Sequence, residues 1–161
     1  MHSSILIANK LIDIAKSKKQ TLTPMQLIKL VFLCHGWMLG LYSRHLIKEP
    51  IEAWRYGPVI SCLYQSVKNY KSSPVEYIGR ENERNFCQLD DIENNLIQQV
   101  YDHYGSFSGI ELSALTHQKD SPWYITWHQT GHINATISND LIEYYHKNIA
   151  KEATNHDATT A

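Results

Sequence analysis

The hydrophobic residues at the start of the chain recur with a helical period. Across Ser3–Ser17 the apolar residues fall on one helical face and the lysines lie away from it. A second helix should begin at Thr23, Pro24 and Gln26, because threonine can cap, proline suits the first turn and glutamine completes a capping box. Its apolar residues, up to about Leu41, cover most of the helix circumference. This pattern predicts a central helix that is buried on several sides.

The segment after this helix breaks the helical period. Two apolar stretches, Leu46–Ile47 and Ile51–Trp54, flank a polar turn at Pro50. This arrangement predicts a small β-hairpin or extended insertion around residues 44–56. Pro58 is then expected to open a third helix, because its ring pre-sets the backbone of a first helical turn.

The second half of the chain contains an irregular loop and further helices. The stretch from 71 to 89 contains proline, glycine and a run of charged residues and predicts a loop with short extended pieces. Gly105 is expected to end one helix in a left-handed conformation, and Ile110 is expected to pack inward. The last helix should end at Ile149, leaving 150–161 as a flexible tail. The helices are expected to begin at capping residues: Asp90 or Asp91, Ser108, Ser121 and Ser138.

Length and composition favour one mainly α domain over residues 1–149, a compact bundle of about six to seven helices. The chain has 161 residues, 43% of them hydrophobic, enough to bury one sizeable core. No apolar run approaches the ~18 residues of a membrane-spanning helix, and no secretory leader is visible. Cys34, Cys62 and Cys87 fit neither a disulfide framework nor a zinc ribbon. We therefore expect a cytoplasmic protein with reduced thiols.

The charge is unevenly distributed along the chain. Residues 1–84 carry 12 Lys and Arg against 6 Asp and Glu, whereas residues 85–161 carry 3 against 10. Such halves can attract each other, orient a charged partner or arise by accident of composition. Lys16, Lys18 and Lys19 lie near a helix–turn–helix pattern, although a helix dipole already favours lysines there. A DNA-binding regulator of its own operon therefore stays an alternative.

The sequence predicts no catalytic, cofactor or metal site, although nine histidines are present. His128 and His132 are four residues apart, but Gly131 between them argues against a continuous helix, and no glutamate accompanies them. His35 follows Cys34 directly, so the two side chains point in different directions on a helix. The chain also lacks a glycine-rich phosphate loop. We predict a binding protein rather than an enzyme.

Aromatic residues beside two turns are the most informative feature. They form two groups: Trp54, Tyr56 and Tyr64 around Gly57 and Pro58, and Trp123 and Trp127 after Pro122. Tyrosine and tryptophan serve both as the edges of a core and as anchors of protein interfaces. Packing and partner contact therefore both stay open for these positions.

A longer signature surrounds the first of these turns. The string EPIEAWRYGPV at residues 49–59, followed by Leu63–Tyr64, resembles the signature of the Panacea, or SocA-like, antitoxin domain. Other stretches resemble further elements of that family: Leu27–Phe32 leading to His35-Gly36-Trp37 its second helix, Leu112–His117 its leucine-serine and threonine-histidine elements, and Ser121–Trp123 its proline-tryptophan element. Together these stretches cover roughly residues 4–147.

The resemblance implies a helical antitoxin of a bacterial or prophage toxin–antitoxin system that neutralises its cognate toxin by contact. Members are also described as phage-associated proteins. One branch acts as a proteolytic adaptor that delivers its toxin to an ATP-dependent protease, and this role stays open here. Because the family pairs with toxins of unrelated folds, the toxin is not identified. We expect toxin-facing or toxin-supporting residues in two segments: Trp54, Tyr56, Gly57, Pro58 and Tyr64 in the first, and Thr116, His117, Pro122, Trp123 and Trp127 in the second.

Overall fold

The fold is mainly helical, as predicted. The computed structural model describes residues 1–131 and 134–160, the last six of these by their backbone alone. Within these ranges seven α-helices occur: α1 (Ser4–Ser17), α2 (Pro24–Tyr42), α3 (Ser61–Val67), α4 (Asp91–Tyr104), α5 (Gly109–Thr116), α6 (Pro122–Thr130) and α7 (Asn139–Thr160). Three short strands form an antiparallel sheet in the order β2-β1-β3: β1 (Ile51–Trp54), β2 (Gly57–Val59) and β3 (Ala135–Ile137).

Helix α2 lies at the centre of the domain. Its first turn forms the predicted capping box. The backbone N–H of Gln26 donates to Thr23 Oγ1, and the backbone N–H of Thr23 donates to Gln26 Oε1 at 2.9 Å. Fourteen of its 19 residues are buried, and α1, α4, α5 and α7 pack around it. Contrary to the prediction from the sequence, α2 is long and apolar enough to span a membrane by length and composition, but most of it lies inside the protein. The prediction of a central helix buried on several sides is confirmed.

Helices α2 and α7 approach each other closely at two glycines of α2. A Cβ atom at Gly36 would come within 2.6 Å of Nε2 of His146, and one at Gly40 would lie 2.5 Å from the Cβ of His146. The imidazole is 2% exposed, and the rings of Phe32 and Trp37 lie against it. Because the ring is enclosed, it cannot turn aside to admit a methyl group. Gly36, the residue before Trp37, must therefore be small because it faces the side chain of His146.

The β-hairpin lies further along the chain than predicted. Leu46–Ile47 is not one of its strands, because Ile47 instead forms an isolated parallel bridge with His2. The hairpin pairs β1 with β2, and Pro58 lies within β2. Helix α3 begins only at Ser61, so the predicted helix start at Pro58 is wrong. Since β2 is an edge strand, the missing N–H of a proline can be tolerated there.

Buried His35 ties the insertion to α2 and α7. Its Nδ1 accepts from the amides of both Leu46 and Ile47 at 3.3 Å, so its other ring nitrogen carries the hydrogen and donates to Asn139 Oδ1 at 2.9 Å. Burial lowers the pKa of His35, which matches a neutral imidazole with this hydrogen-bond pattern. Leu46–Ile47 is thus held by the side chain of His35 as well as by the backbone of His2.

The predicted helix starts are confirmed in the second half of the chain. The side chains that accept from the first helical turns are those of Asp90, Ser108, Ser121 and Ser138. The loop before α4 contains short 3₁₀ turns instead of extended pieces: Lys68–Tyr70, Glu81–Arg84 and Phe86–Gln88.

Three local predictions are wrong. Gly105 has a φ of −64°, because the chain continues through a right-handed turn and needs no left-handed reversal there. Ile110 is 82% exposed, since it lies on the outer face of the short helix α5. Helix α7 continues past Ile149 to Thr160, because residues 150–154 contain no glycine or proline to end it.

Candidate partner-binding site

The loop that joins β1 to β2 is contacted through its backbone by side chains of the second half. We call residues 54–58 the hairpin tip. Three of its carbonyl oxygens have side-chain partners: Trp123 Nε1 donates to Trp54 O (2.6 Å), Ser113 Oγ donates to Tyr56 O (2.9 Å) and His117 Nε2 lies 3.2 Å from Arg55 O. These contacts join the two segments that the sequence signature contains, although about 60 residues separate them.

A fourth contact comes from the central helix. Lys29 of α2 is 2% exposed, and its Nζ donates to Pro58 O at 3.0 Å. Burial lowers the pKa of Lys29 from 10.5 to about 7. Within the described part of the chain, no carboxylate forms an ion pair with it. The sequence analysis did not name Lys29 among the site residues, although a lone lysine on a buried helix was the signal of its role.

Gly57 is the point at which these contacts converge. Its φ is +116°, a backbone conformation that residues other than glycine rarely adopt. A Cβ atom there would lie 3.1 Å from each of three side-chain atoms: His117 Cε1, Lys29 Nζ and Thr116 Oγ1. The hairpin tip is therefore packed directly against α2 and α5, and a side chain at Gly57 would crowd these neighbours.

The link between α5 and α6 fixes the side chains behind the tip. Ser121 Oγ donates to Thr116 O at 3.0 Å while it caps α6. Trp123 then stacks on Trp127 at 5.4 Å, which confirms that the two rings share one helical face. The ring of His117 packs against Trp123 at 4.0 Å between centroids. The indole that holds the tip is thus itself held from two sides.

The ten predicted site residues differ in their exposure. Tyr56 is 62% exposed, and four others are half-buried: Trp54, Tyr64, His117 and Trp127. The remaining five are buried: Gly57, Pro58, Thr116, Pro122 and Trp123. The buried five cannot reach a partner in this conformation, because other side chains cover them. Gly57 and Pro58 belong to the hairpin tip, and Trp123 and Thr116 lie against it. Partner contact stays a prediction for the exposed and half-buried residues.

A groove of about 520 Å³ opens beside the hairpin tip. We call it the tip groove. Ile28, Lys29 and Val59 line its buried side, and Trp54 and Tyr64 pack edge to face at 4.9 Å along it. The groove is therefore mainly apolar, with one buried amine.

Exposed cations also line the tip groove. Arg55, Lys68 and Lys71 are all exposed, and none of them forms an ion pair with a described residue. The guanidinium of Arg55 lies 5.6 Å from the centre of the Tyr56 ring. This side of the molecule therefore presents positive charge next to aromatic surface.

The other candidate chemistry is not assembled into a site. Within the described residues no three His, Cys, Asp or Glu side chains lie close enough to hold a metal ion, and His132 lies outside those residues. Burial raises the pKa of the Cys34 thiol far above its usual range, so Cys34 is an inert core residue. Lys16 and Lys18 form ion pairs with Glu76 and Asp102.

Comparison with known proteins assigns the chain to a family. The model of the family described as "Antitoxin SocA-like, Panacea domain" matches residues 27–124, and the chain belongs to this family. That range includes most of α2, the hairpin tip, α5 and the start of α6. The resemblance drawn from the sequence is confirmed.

A curated relative carries the corresponding name. The chain is 26% identical over 126 residues to the "Antitoxin SocA" of Caulobacter vibrioides (strain NA1000 / CB15N). The match covers 73% of this chain and 66% of that relative, just under two thirds of its length. The search of solved structures found no significant match.

Proposed function

We propose that this chain neutralises a cognate toxin by direct protein–protein binding, and that the hairpin tip and the tip groove form the contact surface. The observation that carries this proposal is the exposed ring of Tyr56 on a loop in which three backbone carbonyl oxygens accept hydrogen bonds from Lys29, Ser113 and Trp123. A preorganised aromatic anchor loses little conformational entropy on binding, and tyrosine and tryptophan are enriched among interface hot spots. Family membership supports a toxin as the partner.

The ten site residues have two roles in this proposal. Tyr56, Trp54 and Tyr64 contact the toxin, because their rings reach the surface beside the groove. Trp123 and Thr116 act indirectly, because they are buried and hold the tip from behind. The two groups should therefore respond differently to substitution: loss of a contact ring weakens binding alone, whereas loss of a support also lowers stability.

The proposal describes a non-enzymatic protein of the cytoplasm. A lysine with a lowered pKa is also typical of catalytic sites. Here, however, the Nζ of Lys29 already donates to Pro58 O, and the lysine packs against the hairpin as a structural element. A cytoplasmic location suits the three free thiols, two of which are exposed.

Co-expression with the product of the neighbouring gene tests the proposal. We expect growth rescue together with a complex that survives affinity purification. Tyr56→Ala should raise the Kd about 30-fold, the effect typical of a hot-spot residue. The matched control is Tyr144→Ala on α7, where the ring is 67% exposed, comparable to the 62% of Tyr56. Absence of both complex and rescue would refute direct neutralisation, and equal effects of the two variants would refute the placement.

The same system separates direct binding from delivery to a protease. We expect growth rescue to persist in a host that lacks the ATP-dependent protease, because binding itself blocks the toxin. Rescue that disappears in that host, with the complex still formed, would indicate that neutralisation proceeds by adaptor-mediated degradation.

A further inference from the structure

The buried amine of the tip groove has unused hydrogen-bonding capacity. An ammonium group has three donors, and one donor of Lys29 is directed at Pro58 O. No described carboxylate pairs with it, and burial is the cause of its lowered pKa. A buried charge without a counter-ion costs free energy, and an anion that reached the groove would recover part of that cost.

The walls of the groove determine what else the ligand must carry. Apolar and aromatic side chains, among them Ile28, Val59, Trp54 and Tyr64, line most of it. The volume of about 520 Å³ lies in the range of ordinary ligand pockets and can take a large side chain. A uniformly charged strand such as a nucleic-acid backbone would leave this apolar surface unmatched. A suitable ligand combines an apolar group with a negative one.

The exposed cations extend the same preference beyond the groove. Arg55, Lys68 and Lys71 form no ion pair with the described residues and lie along one groove. They favour a partner with several acidic residues, because complementary charges steer association and fix orientation. Groove and cations together match an acidic segment that also carries a large apolar side chain.

We infer that the tip groove binds an acidic segment of the toxin, which packs an aromatic or leucine side chain against Trp54 and Tyr64 and directs a carboxylate to Lys29. This inference rests on the proposed function and deepens it by naming the chemistry that the toxin must present. It also accounts for a lysine on the central helix, where an apolar residue would pack at lower cost.

Charge reversal at exposed positions tests the acidic character of the partner. The probes are peptides of about 15 residues tiled across the neighbouring gene's product, and the purified product itself. Arg55→Glu with Lys68→Glu should weaken binding about 10-fold or more, and binding should weaken with added salt. The control is Lys151→Glu, an exposed lysine on α7 outside the groove. Thermal unfolding of each variant verifies that the exposed substitutions leave the fold intact.

The amine itself is tested by titration and substitution. In NMR of the lysine Cε and Nζ groups, the pKa of Lys29 should rise from about 7 toward its ordinary value when the acidic peptide binds. Lys29→Met, which keeps the length of the side chain, should weaken binding about 30-fold or more. If Lys29→Met does not fold, the titration and the charge reversal decide.

The outcomes distinguish the two proposals. A complex that tolerates charge reversal and leaves the Lys29 titration unchanged would overturn the acidic-segment inference but leave direct neutralisation standing. The inference would also be overturned if the peptides that bind the groove contained no acidic residues, or if the chain associated with itself through the groove. If the native chain neither binds nor neutralises the neighbouring gene's product, the proposed function is refuted. The inference about the toxin segment in the groove is then refuted with it.

Discussion

Replacing Gly36 with alanine should destabilise the protein only while His146 is present. The two residues meet where α2 crosses α7, and a methyl group at Gly36 would approach Nε2 of the imidazole to 2.6 Å and Nδ1 to 2.9 Å. The ring is buried between Phe32 and Trp37, so the overlap must be relieved by moving helices. The pair can therefore be tested as a double-mutant cycle.

The magnitude follows from two opposing terms. Alanine favours a helix over glycine by about 1 kcal/mol, which alone would stabilise α2. Overpacking in a close-packed interior costs about 1–3 kcal/mol, and an overlap with an enclosed ring belongs at the upper end. Gly36→Ala should therefore lower the free energy of unfolding by about 2 kcal/mol. In a His146→Ala background the overlap is gone, and Gly36→Ala should raise the free energy of unfolding by up to about 1 kcal/mol.

Urea unfolding of the four proteins measures this cycle. The expected coupling energy is about 3 kcal/mol. The effect of Gly36→Ala on the free energy of unfolding should change sign between the native and the His146→Ala backgrounds. His146→Ala itself should destabilise, because it leaves a cavity. Equal and additive effects of Gly36→Ala in both backgrounds would refute the steric argument and the reason given for the glycine.

Three further predictions concern pH, the hairpin tip and the end of the chain. Burial lowers the pKa of His146 to about 4, below the 6.5 of the unfolded state, so the contribution of His146 to stability should fall as pH drops from about 6.5 toward 4, by roughly 2 kcal/mol at pH 5. Urea unfolding of His146→Ala should show this contribution gone, with the slope from His35, whose pKa burial also lowers, still present. Trp123→Phe removes the donor to Trp54 O and should cost about 1–3 kcal/mol in chemical unfolding and weaken toxin binding; unchanged values for both would exclude a supporting role. Deletion of residues 150–161 should leave growth rescue intact, and loss of rescue by a truncated chain that still folds would place recognition in that segment.

Helix positions were predictable because their signals are local. The capping residues Thr23, Asp90, Ser108 and Ser121 act within three or four positions of themselves, so their identity alone indicates where a helix begins. The period of apolar residues in α2 likewise reports burial without knowledge of its neighbours.

The strands and the site depended on contacts between distant residues. Pro58 fits a helix start and an edge strand equally well, and pairing with β1 decided between them. The three residues of β3 are too few for a detectable period, and they pair with a strand more than 80 positions earlier. A lone lysine among apolar neighbours was a signal in the sequence, but its partner, the carbonyl of Pro58, became visible only when α2 met the hairpin tip.

The most direct test of the central claim is photo-crosslinking from the hairpin tip. A benzophenone amino acid placed at Tyr56 should form a covalent adduct with the neighbouring gene's product, because this exposed ring lies at the proposed interface. The same probe at Tyr144, an exposed ring on α7, should form none. Adducts from Tyr144 and none from Tyr56, in a chain that still rescues growth, would contradict the placement of the toxin on this surface.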